Sequence, residues 1–347
     1  MKVVLEKLLN QQDLTSEEMT VVMQSLMSGQ ATDAQISAIL IALRMKGETV
    51  TEITAAAKVM RELASGVEVT DKTHLVDTCG TGGDGANTFN ISTASAFVAA
   101  AAGAKVAKHG NRSISSKSGS ADVLEAAGVN LDLSAKQVAE CVDEAGLGFM
   151  FAPAHHSAMK HVIGVRKDLA VRTIFNLLGP LTNPAKAPFQ VVGVYDKALL
   201  VPFAQVLKNL GSKHVMVVHA EVGLDEISMT GKTYVAELKT GEITEWIINP
   251  ADFAMGYQDL SGLAVDSAKD SLDFIQSAFE NQAGAVLDII CLNAGASIYV
   301  AGLADSYSSG VVKAKETIVS SKALQLMNDF IVKTQSFSLT ETPLGKI

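Results

Sequence analysis

The sequence predicts an α/β protein: a mostly parallel sheet flanked by helices, joined to a smaller, discontinuous all-helical domain. Three observations predict this. The N-terminal part carries repeated helix-start signals. From Thr73 onward, short apolar strands alternate with helix-length segments, the pattern of βαβ units. One helical stretch, Arg166 to Leu178, interrupts that alternation and ends at Gly179-Pro180.

Taken in order, Thr15 with Glu18, Thr32 with Gln35 and Thr49 with Glu52 have the spacing of capping boxes. Gly29, Gly47 and Gly66 follow at helix length, where left-handed C′ residues are expected. Ile36, Ile39, Leu40 and Leu43 give the second of these helices one apolar face. After Thr73, His74 to Cys79 reads as a strand, followed by a Gly-rich loop and a helix from Asn90 to Ala102. Ala104 to His109, Gly148 to Phe151, Gln190 to Tyr195 and Val215 to His219 are strand-like. Thr233 to Leu238 and Glu242 to Ile248 form a hairpin across Thr240-Gly241, and the C-terminal part is helical. The expected division is residues 1–72 plus about 165–185 as the helical domain, with 73–164 plus 186–347 as the α/β domain.

The chain has 347 residues, 48% of them hydrophobic and 19% charged, which suits packed cores rather than a disordered chain. Its net charge of −9 argues against a general nucleic-acid binder, because backbone affinity comes from Lys and Arg. Cys79, Cys141 and Cys291 lie far apart, so neither a disulfide framework nor a zinc finger is expected. No signal-peptide pattern opens the chain, and the uncharged stretch Gly85 to Ala104 is too polar in its first half to span a membrane. A cytoplasmic protein is expected.

Four glycines fall within Gly80-Thr81-Gly82-Gly83-Asp84-Gly85, between a strand and a helix. Such a loop brings backbone N–H groups close to phosphate oxygens beside a helix N-terminus, or it is simply a tight turn. The string also fits the dinucleotide fingerprint, but basic Lys105 to His109 stands where that fold needs an acid. Between Lys105 and Ala121 the chain has four positive charges, no acid, and the hydroxyls of Ser113, Ser115, Ser116 and Ser118. This loop follows a strand and has the groups that hold phosphate, although a solvated loop would look alike. Asp225-Glu226 after the Val215 strand is either a solvated turn or a Mg²⁺ site completed by substrate phosphates. Three histidines, His155, His156 and His161, have no partner with catalytic-zinc spacing, so a polar cleft lining or the surface is expected. Arg166 could grip a carboxylate as a fork.

Together these strings resemble the anthranilate phosphoribosyltransferase family. Asp77 to Asp84 is similar to its first phosphate loop, and Asn90-Ile91-Ser92-Thr93 to the motif that follows. Lys108 to Ser120 is similar to its second loop, Phe175 to Pro184 to a further family string, and Gly223-Leu224-Asp225-Glu226 to its metal-binding pair. Order and spacing agree from about Leu8 to about Lys333. Ala220 and Ser157 depart from the usual Gly and Pro without removing a functional group.

The resemblance implies a nucleoside phosphorylase/phosphoribosyltransferase-like fold, with the active site between the domains and a homodimer formed through the helical one. It implies transfer of phosphoribose from phosphoribosyl pyrophosphate (PRPP) to the anthranilate amine, with Mg²⁺, in tryptophan biosynthesis. Neither nucleic acid nor membrane is an expected partner. By matching position, PRPP contacts fall on Gly80, Gly83, Asp84, Thr88, Asn90, Ile91, Ser92, Thr93, Lys108, His109, Gly110, Asn111, Arg112, Ser113, Ile114, Ser115, Ser116 and Ser120. Metal contacts fall on Ser92, Asp225 and Glu226. Anthranilate contacts fall on Gly80, Asn111 and Arg166, with His109, His156 and Gly179 nearby. No covalent nucleophile is expected. The nearest alternative, a pyrimidine nucleoside phosphorylase, shares the architecture but is disfavoured by the Lys108–Ser120 loop and the Asn176–Pro184 string.

Overall fold

The computed structural model describes residues 1–340 except Asp84, residues 114–116 and Gln258. Helices α1 (Lys2–Leu9), α2 (Ser16–Met27), α3 (Asp33–Lys46) and α4 (Val50–Leu63) open the chain. Thr15, Thr32 and Thr49 each accept the N–H of the third helical residue, while Glu18, Gln35 and Glu52 return the bond. Each box satisfies two otherwise orphaned donors, and loss of such a cap costs about 1 kcal/mol. Glu52 is fully buried and also accepts the Leu14 N–H at 2.9 Å and Lys46 Nζ at 3.0 Å. Gly29 and Gly47 take the expected positive φ, 76° and 87°. Gly66 does not. Helix α4 stops at Leu63, Ala64 is extended, and the Ser65 N–H donates to the His155 carbonyl at 2.8 Å. A tertiary partner, not a left-handed turn, ends that helix.

Next come β1 (Leu75–Gly80), α5 (Ile91–Ala101), β2 (Lys105–Gly110), α6 (Ser120–Ala126), α7 (Ala135–Glu140) and β3 (Leu147–Phe151). They are followed by α8 (Ala152–His155), α9 (Ile163–Leu169) and α10 (Ile174–Leu178). The Arg166–Leu178 stretch is therefore broken, not one helix. Ala170 adopts φ 50°, and the Asn176 side chain accepts the Thr173 N–H at 3.0 Å, a local bond that competes with helix continuation. Helix α9 packs on α3, and α10 packs on α3 and α4.

The remaining elements are β4 (Phe189–Gly193), α11 (Leu200–Asn209), β5 (His214–Ala220), β6 (Thr233–Lys239), β7 (Glu242–Ile248), α12 (Ala268–Phe279), α13 (Ala285–Val300), α14 (Tyr307–Val319) and α15 (Lys322–Thr340). Among the described residues seven strands form one sheet, in the order β3-β2-β1-β4-β5-β6-β7. The first five are parallel, while β6 and β7 are the expected antiparallel hairpin.

Strand alternation serves two cores. Val191, Met216 and Val218 pack with α5, α13 and α14. Val192, Val215 and Val217 face the other way, into a core continuous with α2 to α4, α10 and α11. The sheet therefore has the helical bundle on one face near β4 and β5. Among the described residues no helix is long and apolar enough to cross a membrane.

Candidate active site

The strand order reverses between β1 and β4, and in open α/β sheets the crevice at the carboxyl ends of such strands binds ligands. Glycine ends both strands here, and close approach explains why. A Cβ on Gly193 would fall 1.5 Å from the Asp225 carbonyl oxygen, and one on Gly80 would fall 2.3 Å from Asp225 Oδ2. The missing side chains let the 221–226 loop lie across the strand ends. Asp225 Oδ2 then accepts the Gly82 N–H at 2.7 Å, and the Thr81 N–H donates to the Gly193 carbonyl at 2.9 Å. Gly82 and Gly83 both have positive φ, 68° and 81°.

Asn90 caps α5, accepting the Thr93 N–H at 3.0 Å, so the N–H groups of Ile91 and Ser92 belong to its first turn. Ser92 Oγ accepts from Lys108 Nζ at 3.0 Å, and the same ammonium donates to the Thr78 carbonyl at 2.6 Å. Lys108 is 2% exposed. Burial pulls its ammonium below the ordinary range, while the negative charges of Asp77 and Glu226 hold it up. A buried cation thus stands between the α5 N-terminus and the acidic loop. Thr88 lies at the outer end of the first loop, bridged to Ala264.

The second loop leaves β2 beside the first. Asn90 Nδ2 donates to the Ser118 carbonyl at 3.3 Å and joins the two loops. Asp122 Oδ2 accepts the N–H groups of Ser113 and Gly119 at 2.9 and 3.0 Å, which folds the loop back on α6. Ser120 opens α6 against the end of β2, where a Cβ on Gly110 would come 2.9 Å from its Oγ. The Asn111 carbonyl accepts the Ala121 N–H at 3.3 Å. Arg112 turns away from the crevice and pairs with both Glu125 oxygens, at 2.7 and 2.9 Å. That pair is exposed and solvent-screened, so it is a weak competitor for a phosphate. Asp84, Ile114, Ser115 and Ser116 lie outside the described residues.

Beneath the loops is a buried polar layer. Asp77 is fully buried and accepts the His109 N–H at 3.2 Å and Gln190 Nε2 at 3.2 Å; burial raises its pKa. Gln190 Nε2 also donates to the Pro180 carbonyl at 2.6 Å, and Asn183 Nδ2 to the Ala107 carbonyl at 2.9 Å. These bonds fasten the Phe175–Pro184 string to β4 and β2. The rings of His109 and His156 are 5.0 Å apart. Burial first, then the imidazoles of His156 and His155, lower His109 to about 3; burial and the neighbouring His155 lower His156 to about 4. His155 is buried as well, its Nδ1 2.8 Å from the Ser65 carbonyl, so both members of this pair are interior rather than surface groups.

Arg166, on α9, lies 5.4 Å over the Phe175 ring. Among the described residues no carboxylate forms an ion pair with it, and burial alone lowers its pKa. A half-buried guanidinium in that state favours an incoming carboxylate. Gly179 begins the short turn Gly179–Leu181 that follows α10, and its backbone reaches the His109 ring.

Sequence reasoning missed Gln190, Asn183 and Asp122 as builders of the site, and Arg172 as a contact of the Gly-rich loop. Asp122 had a local signal, its spacing of three from Gly119. Asn183 lay within the Phe175–Pro184 string but its bond across 76 residues was not legible, and Gln190 and Arg172, acting across 113 and 89 residues, had no signal.

Ser92 Oγ, Asp225 and Glu226 supply hard oxygen donors at the strand ends. Among the described residues no group of three His, Cys, Asp or Glu side chains is arranged to hold a metal ion by itself. This donor set suits Mg²⁺, which uses one or two protein carboxylates with water and substrate phosphates.

Helical bundle, α/β sheet and paired loops at the switch point define a transferase that handles a phosphorylated donor. Residues 2–64 match the helical bundle domain of the glycosyl transferase family, and residues 72–324 match its a/b domain. The chain is 68% identical to the anthranilate phosphoribosyltransferase of Hydrogenovibrio crunogenus, over 96% of this chain and 98% of that protein. It superposes on the crystal structure of the Thermus thermophilus enzyme of that name with a TM-score of 0.90 and 39% identity, covering 95% of this chain and 99% of the other. The Saccharomyces cerevisiae enzyme, solved in complex with PRPP and Mg, gives a TM-score of 0.86 at 29% identity, covering 96% and 97%. The chain belongs to the anthranilate phosphoribosyltransferase family.

Proposed function

We propose that the protein transfers the phosphoribosyl group of PRPP to the amino group of anthranilate, giving N-(5-phosphoribosyl)anthranilate and pyrophosphate in tryptophan biosynthesis. The observation that carries this reading is the meeting of three chain segments at the switch point. They are the Gly-rich loop, the Lys108–Ser92 contact and the Asp225 loop.

The N–H groups of Ile91 and Ser92 at the α5 N-terminus offer an anion cradle for the phosphates, while those of Thr81 and Gly82 are engaged by the Gly193 carbonyl and Asp225 and so fix the loop beside it. The described parts of the second loop, Lys108 to Ser113 and Lys117 to Ser120, flank it through the Asn90–Ser118 bond and the Lys108–Ser92 bond. Asp225, Glu226 and Ser92 would hold Mg²⁺, which when bound neutralises the leaving pyrophosphate. Arg166 fits the anthranilate carboxylate, with Asn111, Gly179, His109 and His156 as neighbours. The neutral imidazoles provide a polar wall with no charge to compete with Arg166.

The bond from ribose C1 to pyrophosphate breaks, and its electron pair leaves with pyrophosphate. The amine nitrogen bonds to C1 and releases one proton. An aromatic amine is already unprotonated at neutral pH, so the reaction needs no strong base and no covalent nucleophile. Lys108 and the backbone donors supply preorganised positive potential where the leaving group gains charge. Residues 1–72 plus about 165–185 are read as the helical domain and as the dimer-forming surface. Val3, Leu9, Val21 and Met45 on α1 to α3 are exposed and available to such an interface.

The test is loss of anthranilate fluorescence in a mixture of protein, Mg²⁺ and PRPP. Phosphorolysis of a pyrimidine nucleoside, with the fluorescence unchanged, would overturn the reading.

A further inference from the structure

Consecutive residues of the Gly-rich loop are held by different parts of the chain. Thr81 and Gly82 are held by the strand ends, through Gly193 and Asp225. Gly83 is held from the other side of the crevice, where its carbonyl accepts a bond from Arg172 Nη2. Arg172 lies in the connection between α9 and α10, the segment that packs on α3 and α4 and carries Arg166.

Two further contacts orient Arg172. Its guanidinium lies 4.0 Å over the Tyr195 ring, and its own carbonyl accepts from Arg44 on α3. Tyr195 is itself fastened to the Gly-rich loop, its N–H donating to Thr81 Oγ1 at 3.1 Å. Thr81, Tyr195, Arg172 and Gly83 thus form a closed ring of contacts around the Gly82 peptide. A planar guanidinium can stack on an aromatic face and donate in its own plane at once, which a lysine ammonium cannot do. The Ala170 turn and the Thr173–Asn176 bond fix where the side chain leaves the backbone.

We propose that Arg172 is a positioning residue that latches the Gly-rich loop to the segment bearing Arg166, and so couples the PRPP half of the site to the anthranilate half. The inference rests on the function proposed above. Two glycines at positive φ have no side chains to restrain them, and the latch supplies that restraint before PRPP arrives. Because coupling is reciprocal, anthranilate gripped through Arg166 steadies the loop, and PRPP held by the loop steadies Arg166.

The experiment uses the full chain as Arg172→Met, Arg172→Lys and Tyr195→Leu. Both KM values, kcat and the melting temperature are measured, with PRPP binding in Mg²⁺ followed by calorimetry. Arg172→Met should raise the PRPP KM and Kd about fivefold or more and make the anthranilate KM less dependent on PRPP concentration. Its melting temperature should stay near that of the parent. Arg172→Lys should recover part of the PRPP affinity, and Tyr195→Leu should reproduce part of the loss. A PRPP Kd within twofold of the parent in Arg172→Met overturns the latch. A lowered melting temperature and kcat with unchanged PRPP affinity also overturns it, because that marks a merely structural role. A parent protein that binds PRPP but does not consume anthranilate refutes the proposed function instead, and the calorimetric comparison still decides the latch.

Discussion

Asp225 and Gly82 are 143 residues apart, yet the Asp225 carboxylate accepts the Gly82 N–H at 2.7 Å. The bond joins the acidic loop after β5 to the phosphate loop after β1. The two features that sequence reading identified separately are therefore one structural unit, and disturbing either should disturb both.

The first prediction concerns the acidic pair. Asp225→Ala combined with Glu226→Ala should lower kcat/KM roughly 100-fold or more, about 2.7 kcal/mol of transition-state stabilisation. Unchanged steady-state kinetics across a Mg²⁺ titration would remove the metal role.

Gly193→Ala should be worse than Gly80→Ala. At Gly193 the added Cβ meets backbone, 1.5 Å from the Asp225 carbonyl, so the loop itself must move. At Gly80 it meets the Asp225 carboxylate, which can rotate away at the cost of its bond to Gly82. We expect Gly193→Ala to lower both the melting temperature and kcat/KM, and Gly80→Ala to lower mainly kcat/KM. Parent-like melting and kinetics for Gly193→Ala would contradict the close approach.

Arg166→Ala should raise the anthranilate KM about tenfold or more, the value of a hydrogen bond to a charged group, and change the PRPP KM less. Equal effects on both substrates would count against a carboxylate grip.

Protonation of His109 and His156 should destabilise the fold. Their pKa values fall from 6.5 to about 3 and about 4, so the unfolded chain binds more protons between those limits. Their contribution is complete above about pH 6.5 and shrinks as pH falls through that window. The urea midpoint should therefore drop between pH 7 and 5, above the carboxylate range, and drop less in a His109→Gln/His156→Gln variant. Parallel pH profiles for the two proteins would exclude this source.

The proposed homodimer has a direct readout. Light scattering after size exclusion should give twice the chain mass, and Val21→Glu on exposed α2 should shift the mass toward one chain. A single-chain mass for the parent at micromolar concentration would refute the assignment of that surface.

The capping boxes at Thr15, Thr32 and Thr49 were legible because donor and acceptor lie three residues apart on one helix start. The β6–β7 hairpin was legible for a similar reason: a two-residue turn between alternating strands fixes its register. Gly66 misled because a helix can also end on a tertiary partner, here His155. The Arg166–Leu178 stretch misled because composition does not register a single left-handed residue at Ala170.

By itself the sequence determined the class of fold and the order of the loops along the chain. Those properties follow from periodicity, capping and motif spacing, all of them local. Tertiary structure alone decided that Asp225 rests on Gly82, that Arg112 faces Glu125, that Arg166 has no ion-pair partner among the described residues, and that Arg172 reaches Gly83. Those pairings depend on strand order and on how closely two backbones approach. A glycine shows only that close approach is permitted; the loop that makes the approach comes from a distant part of the chain.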